Sequence, residues 1–164
     1  MNTVEIGYMI QQAFENDLID ILDLQQKVFS VVAKQMNKFD IPPLLQTLQD
    51  ICNENKKALI LKYVSNDKIV GSVRGYVDEN NICHIGKLIV HPKYQNKGIG
   101  KALMYEIEKR FILCDKYTLF TGVDTPNTLH LYSKIGYNII DKRMVDNIMM
   151  IIMEKENIFI GKKI

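Results

Sequence analysis

Leu88-Ile89-Val90-His91-Pro92-Lys93-Tyr94-Gln95-Asn96-Lys97-Gly98-Ile99-Gly100-Lys101 reads as an apolar strand, a polar turn with two glycines, and the first turn of a helix. That order aims free backbone N–H groups at one point. The unpaired amides and partial positive charge of a helix start attract anions without any side chain. Gly98 and Gly100 would let the backbone approach a ligand closely, and Lys97 and Lys101 would add formal charge. A phosphorylated ligand is expected here.

Two phosphate-binding templates fail on spacing. A dinucleotide fold wants G-x-G-x-x-G, but Leu103 stands three residues after Gly100. A nucleotide P-loop wants G-x-x-x-x-G-K-[ST], but the glycines are too close and Ala102 follows Lys101. What remains is Q-x-x-G-x-G, carried by Gln95, Gly98 and Gly100 after a strand ending in Val-His-Pro. This resembles the acetyl-CoA-binding motif of the GNAT family of N-acetyltransferases.

A second stretch strengthens the resemblance. In Thr125-Pro126-Asn127-Thr128-Leu129-His130-Leu131-Tyr132-Ser133-Lys134-Ile135-Gly136-Tyr137, Thr125 suits an N-cap. Proline suits the first helical position and Gly136 a left-handed stop. The segment is similar to the family's later motif, and the two together cover roughly residues 58 to 155.

At 164 residues with 47% hydrophobic content the chain can bury one core, so one domain spanning residues 1–164 is expected. The formal net charge of +2 argues against nucleic acid or a membrane surface as partner. Lys87, Lys93, Lys97 and Lys101 are expected to cluster around the phosphate loop. Cys52, Cys83 and Cys114 lack C-x-x-C spacing, which suggests neither a disulfide framework nor a zinc site and fits a reducing cytoplasm. The start MNTVEIGYMI has no basic region followed by an apolar core, so no signal peptide is expected.

Along the chain, Val4 to Ile10 suggests a strand, and Asn16 or Asp17 caps an amphipathic helix with Leu18, Ile21, Leu22 and Val28 on one face. After the polar stretch from Lys34 to Ile41, a second helix should place Leu44, Leu45, Leu48, Ile51 and Cys52 together. Strands are expected at 58–64, 68–77 and 82–90, then a helix marked by Ile99, Leu103, Ile107 and Phe111, and a strand at 117–121. The second motif and a closing hairpin, 137–140 with 148–153, follow. This order indicates an α/β or α+β sandwich with a mixed sheet.

The resemblance implies more than the pattern does. The GNAT fold has a mixed, mostly antiparallel sheet of about six or seven strands with about four flanking helices. Its fourth and fifth strands splay into a V that holds acetyl-CoA. By the same resemblance, the amides of Gln95, Asn96, Lys97, Gly98, Ile99, Gly100 and Lys101 cradle the diphosphate. Leu88, Ile89 and Val90 pair with the pantetheine arm as an added strand would. The Leu88 N–H polarises the thioester carbonyl, and Asn127 contacts the cofactor. No metal is called for.

Two side chains fit the remaining chemistry. An alkyl ammonium of pKa about 10.4 must lose a proton, and His84, fourteen residues before Gly98, could accept it. Packing in the sheet is the alternative for His84, and Glu79 is a weaker candidate base. Tyr132 resembles the family's general acid for the departing thiolate, with core packing its alternative. His91 and Tyr137 are read as structural.

The expected activity is acetyl transfer from acetyl-CoA to a primary amine of a small molecule, with no metal, nucleic acid or membrane involved. The loop from Gln35 to Pro43, with Met36, Phe39 and Asp40, is the expected acceptor contact. A homodimer is compatible with this reading. A peptide N-acetyltransferase and a non-catalytic acetyl-CoA sensor stay open.

Overall fold

Two tight turns of the same chemistry set the ends of the sheet. Asn66 and Asp67, between β2 (Leu59–Ser65) and β3 (Lys68–Val77), have φ of 51° and 61°. Asp146 and Asn147, between β6 (Asn138–Val145) and β7 (Ile148–Glu156), have 50° and 63°. Two consecutive positive-φ residues match the twist of a hairpin, and Asn and Asp adopt them most readily among residues with a side chain. The computed structural model describes residues 9–122 and 126–159.

With β1 (Ile10–Gln12), β4 (Ile82–Val90) and β5 (Lys116–Gly122), the strands form one sheet in the order β1-β2-β3-β4-β5-β7-β6. Every neighbouring pair is antiparallel except β4 and β5. That parallel pair runs only from Ile82–Lys116 to His84–Thr118. Beyond His84 the two strands part, which is the V expected of the fold.

Among the described residues five α-helices flank the sheet: α1 (Leu18–Met36), α2 (Pro42–Leu45), α3 (Leu48–Asn55), α4 (Ile99–Arg110) and α5 (Pro126–Lys134). On one face, Leu103, Met104 and Ile107 of α4 and Tyr132 of α5 share a buried cluster with Leu61, Val73, Cys83 and Ile85. On the other, Leu18 and Ile21 of α1 and Ile51 of α3 enclose Ile60. Each of these fully buried aliphatic side chains contributes about 1.5–3 kcal/mol.

Both faces also carry buried polar groups. Arg74, 2% exposed, donates to Gln25 Oε1 (2.6 Å), Glu54 Oε2 (2.8 Å) and Gln46 Oε1 (3.1 Å). Gln25 in turn donates to Pro43 O and Gln46 Oε1. One network therefore ties β3 to α1, α2 and α3. On the opposite face Glu108 accepts from Lys155 Nζ (2.7 Å) and the Tyr137 hydroxyl (3.1 Å), which makes Tyr137 a core residue as expected. All three cysteines are free.

The second helix departs from its expected form. It is broken at Gln46-Thr47, because Thr47 accepts from Asp50 N and Asp50 accepts from Thr47 N, starting α3 afresh. Only Ile51 of its expected apolar face is buried, while Leu45 and Leu48 are exposed. The helix α1 runs on to Met36, with Asn37 left-handed at its end, through residues whose polarity suggested a loop. The closing hairpin is longer than expected at both strands. The expected first strand and the Thr125 cap lie wholly or mostly outside the described residues. Among the described residues no helix is long and apolar enough to cross a membrane.

Candidate active site

The site begins at an irregularity in β4. Ser72 pairs with Ile89 but Arg74 pairs with Gly86, so Lys87 and Leu88 together oppose Val73. This is a β-bulge, and Lys87 takes a φ of 51° to make it. His91 N–H donates to Val70 O (2.8 Å). By strand alternation the backbone groups of Ile89 face β3, while those of Leu88 and Val90 face the gap left by β5. Among the expected cofactor contacts, Leu88 and Val90 line the cleft, whereas Ile89 is buried.

The loop after β4 is fixed by its own polar groups. His91 Nδ1 accepts from Lys93 N, Tyr94 packs edge-on to the His91 ring, and Gln95 Nε2 donates to Val90 O (3.0 Å). The structural reading of His91 fits these contacts. Asn96 (φ 62°) and Gly98 (φ 83°) are left-handed. Gly98 caps α4 without any side-chain bond, and the first helical bond is Ala102 N to Gly98 O. The amides of Ile99, Gly100 and Lys101 are therefore left for a ligand. A Cβ on Gly100 would lie 3.3 Å from Leu131 Cδ2, so this glycine serves the packing of α5 on the first turn of α4.

These elements wall a cleft of about 510 Å³. Gln95, Asn96, Gly98, Ile99, Gly100, Lys101 and Asn127 line one side, and Val28, Val31 and Val32 of α1 the other. Lys97 lies instead over the Tyr94 ring, 5.4 Å from its centre. The oxygens Thr121 Oγ1 and Thr128 Oγ1, 2.9 Å apart, hold the end of β5 to α5.

A second cavity, of about 640 Å³, opens below α2 and α3. It is lined by Asp40, Asp50 and Asp146, by Gln46 and Asn147, and by Lys87. Lys38 Nζ donates to Asp146 O (3.0 Å), tying the loop after α1 to the β6–β7 turn. Lys87 thus belongs to this cavity and not to the phosphate loop. The bulge is the physical reason, since it displaces Lys87 from the strand's regular alternation. Of the loop residues read as acceptor contacts, Asp40 lines this cavity, whereas Phe39 is exposed.

The two expected catalytic side chains stand on opposite faces of the sheet. Cys83 and Ile85 join the cluster that contains Tyr132, so His84 between them points to the face of α1 and α3. His84 stacks on Tyr76 (4.8 Å between centroids), and its Nε2 lies 2.7 Å from Asp78 Oδ2. That hydrogen bond, with the Ile82 and Asn80 amides, holds the Asp78 carboxyl below its ordinary range. An ionised Asp78 can only accept, so Nε2 carries the proton at this contact. Asp78 gave no signal in the sequence beyond marking a turn, because only the β3–β4 hairpin folds it back on His84.

Tyr132 is 7% exposed and meets Tyr137 edge-on at 6.0 Å. Burial raises its phenol pKa, so it stays protonated through the physiological range. Among the described residues its hydroxyl has no hydrogen-bond partner, and the one fully enclosed side-chain polar atom without a partner is Arg74 Nε. The hydroxyl therefore keeps a solvent-accessible face. His130 is exposed at the cleft. No group of three or more His, Cys, Asp or Glu among the described residues is placed to hold a metal ion.

Comparison with known proteins agrees with this geometry. The sequence model described as "Acetyltransferase (GNAT) family" matches residues 18–137. An acetyltransferase of Pectobacterium atrosepticum is 32% identical over 91 residues, which cover 50% of this chain and 62% of that protein. One from Yersinia pestis is 30% identical over 93 residues, 54% of this chain and 64% of that protein. The chain thus spans less than two thirds of the length of these curated relatives. Among solved structures, the PaiA N-acetyltransferase of Thermoplasma acidophilum in complex with coenzyme A superposes with a TM-score of 0.75 at 18% identity, covering 90% of this chain and 97% of that one. The ribosomal-protein-S18-alanine N-acetyltransferase of Escherichia coli gives 0.73 at 17%, covering 90% and 92%.

Proposed function

The chain belongs to the acetyltransferase (GNAT) family, and from that premise we propose that it moves an acetyl group from acetyl-CoA directly to the primary amine of a small molecule, both bound at once. One observation carries this reading. Consecutive residues of the β4 bulge line the two clefts, Leu88 the glycine-loop cleft and Lys87 the acidic cavity. A group held at the first is one residue from the second.

The roles in this reading are as follows, with His84 and Tyr132 set behind the walls of the two clefts and not among their lining residues. The amides of Ile99, Gly100 and Lys101 hold the diphosphate, and Asn127 closes the cleft from α5. The backbone of Leu88 and Val90 takes the pantetheine arm as an added strand, and the Leu88 N–H supports charge growing on the thioester oxygen. His84, held by Asp78, takes the amine's proton through water from the α1–α3 face. Tyr132, on the other face, donates to the departing thiolate. Base and acid thus serve opposite sides of the reacting carbonyl.

The acidic cavity supports a cationic acceptor, since among the described lining residues Asp40, Asp50 and Asp146 outnumber Lys87. Coenzyme A release should be measured against monoamines, diamines, polyamines and peptide N-termini. Diamines and polyamines should give the highest kcat/KM, with KM rising as salt screens the carboxylates. Preference for peptides would shift the reading to a peptide acetyltransferase. Calorimetric binding of acetyl-CoA with no release above the amine-free rate would leave only a cofactor-binding module.

A further result tests the loop. Gly98→Ala meets no atom within 4 Å of the new Cβ, so its effect comes from the φ of 83° alone. A left-handed alanine costs about 1–2 kcal/mol. Acetyl-CoA affinity measured by calorimetry should fall roughly tenfold, since about 1.4 kcal/mol is a factor of ten.

A further inference from the structure

Among the described residues Lys87 is the one basic side chain lining the acidic cavity, and the mechanism above gives it nothing to do. Its place is unusual. The bulge sets it immediately before Leu88, at the junction of the two clefts, on backbone that a β-strand rarely adopts. The ammonium makes no ion pair within 4.0 Å among the described residues, although Asp40, Asp50 and Asp146 line the same space.

We propose that Lys87 is itself an acetyl acceptor, so that the enzyme modifies its own acceptor cavity when acetyl-CoA is bound and no amine is present. The inference rests on the cofactor placement given above. In the step, the neutral Nζ attacks the thioester carbonyl. A C–N bond forms, the C–S bond breaks, the nitrogen's proton passes to water, and the thiolate gains a proton as free coenzyme A. The product is an uncharged acetyl-lysine. Burial lowers the Lys87 pKa and Arg74 adds to this, while Glu54 opposes it, so the attacking form is more accessible than on a surface lysine. The modified side chain reaches further into the path between the two clefts, and that steric block, outweighing the loss of a charge that repels cationic amines, makes the reaction self-limiting and inhibitory toward amine substrates.

The test is intact-mass and peptide-mapping spectrometry of the purified chain incubated with acetyl-CoA alone. One acetyl group should appear on Lys87 at least about tenfold faster than on exposed Lys56, Lys57 or Lys109, as expected for a reaction made intramolecular. Its first-order rate should not change with protein concentration. Amine turnover should fall in proportion to the modified fraction. Lys87→Arg should lose the adduct while keeping the charge and the unfolding midpoint, and Lys87→Met provides a second, uncharged control. Acetylation spread evenly over exposed lysines, or a rate that rises with protein concentration, overturns the proposal. If calorimetry detects acetyl-CoA binding and Lys87 stays unmodified, this inference alone fails. If no binding is detected, the cofactor reading fails first.

Discussion

Changing Tyr132 to phenylalanine should slow acetyl transfer by about 10²- to 10⁴-fold at saturating amine, the range expected when a positioned acid is removed. Affinity for acetyl-CoA should stay within about twofold, because the ring and its edge contact with Tyr137 remain. Stability should also hold within about 0.5 kcal/mol. The hydroxyl has no hydrogen-bond partner among the described residues, so its removal leaves no group orphaned. Kinetics and a denaturant midpoint on the same preparation separate the roles. Unchanged turnover would make Tyr132 a packing residue of α5 and return the thiolate to solvent for its proton. The raised phenol pKa adds a sign: burial disfavours the phenolate, so activity should not decline on the alkaline side through loss of this proton below about pH 10.

The other large effect is on stability. Arg74→Ala should destabilise the fold by about 3 kcal/mol, the low end for breaking a buried pair, since the Glu54 side chain keeps 32% exposure. The loss leaves Gln25 Oε1 and Glu54 Oε2 without their guanidinium donor on a face where Gln25 is fully buried. At about 2–4 °C per kcal/mol for a domain of this size, the melting midpoint should drop by roughly 6–12 °C. The amine KM should rise as well, because Gln46 belongs both to this network and to the cavity wall. Acetyl-CoA binding, held by a loop on the far side of β4, should persist. A midpoint shift below about 2 °C would mean that Glu54 and the glutamines find water in place of Arg74.

Legibility followed the range of the interactions. The loop Gln95–Lys101 and the strands 68–77 and 82–90 were readable because each depends on neighbours a few residues apart. Helix breaking at Thr47 was local too, carried by a T-x-x-D capping box that the apolar run beside it obscured. Lys87 was misplaced for another reason: a regular strand would point it with the other lysines, and the bulge is visible only in the pairing with β3. The partners of His84 and Arg74 lay beyond reading, since a histidine six residues from an aspartate has no periodic signature.

By itself the sequence determined the nature of the proposed cofactor grip: a strand, two glycines and a helix start whose amides face one way whatever surrounds them. Tertiary structure alone decided where the second, acidic cavity lies relative to the glycine-loop cleft. The parting of β4 from β5 after three residue pairs, the bulge at Lys87 and the return of the β6–β7 turn over the loop after α1 involve residues up to 108 positions apart. Long-range pairing is chosen by how whole faces pack, so no short stretch of chain encodes the acidic cavity.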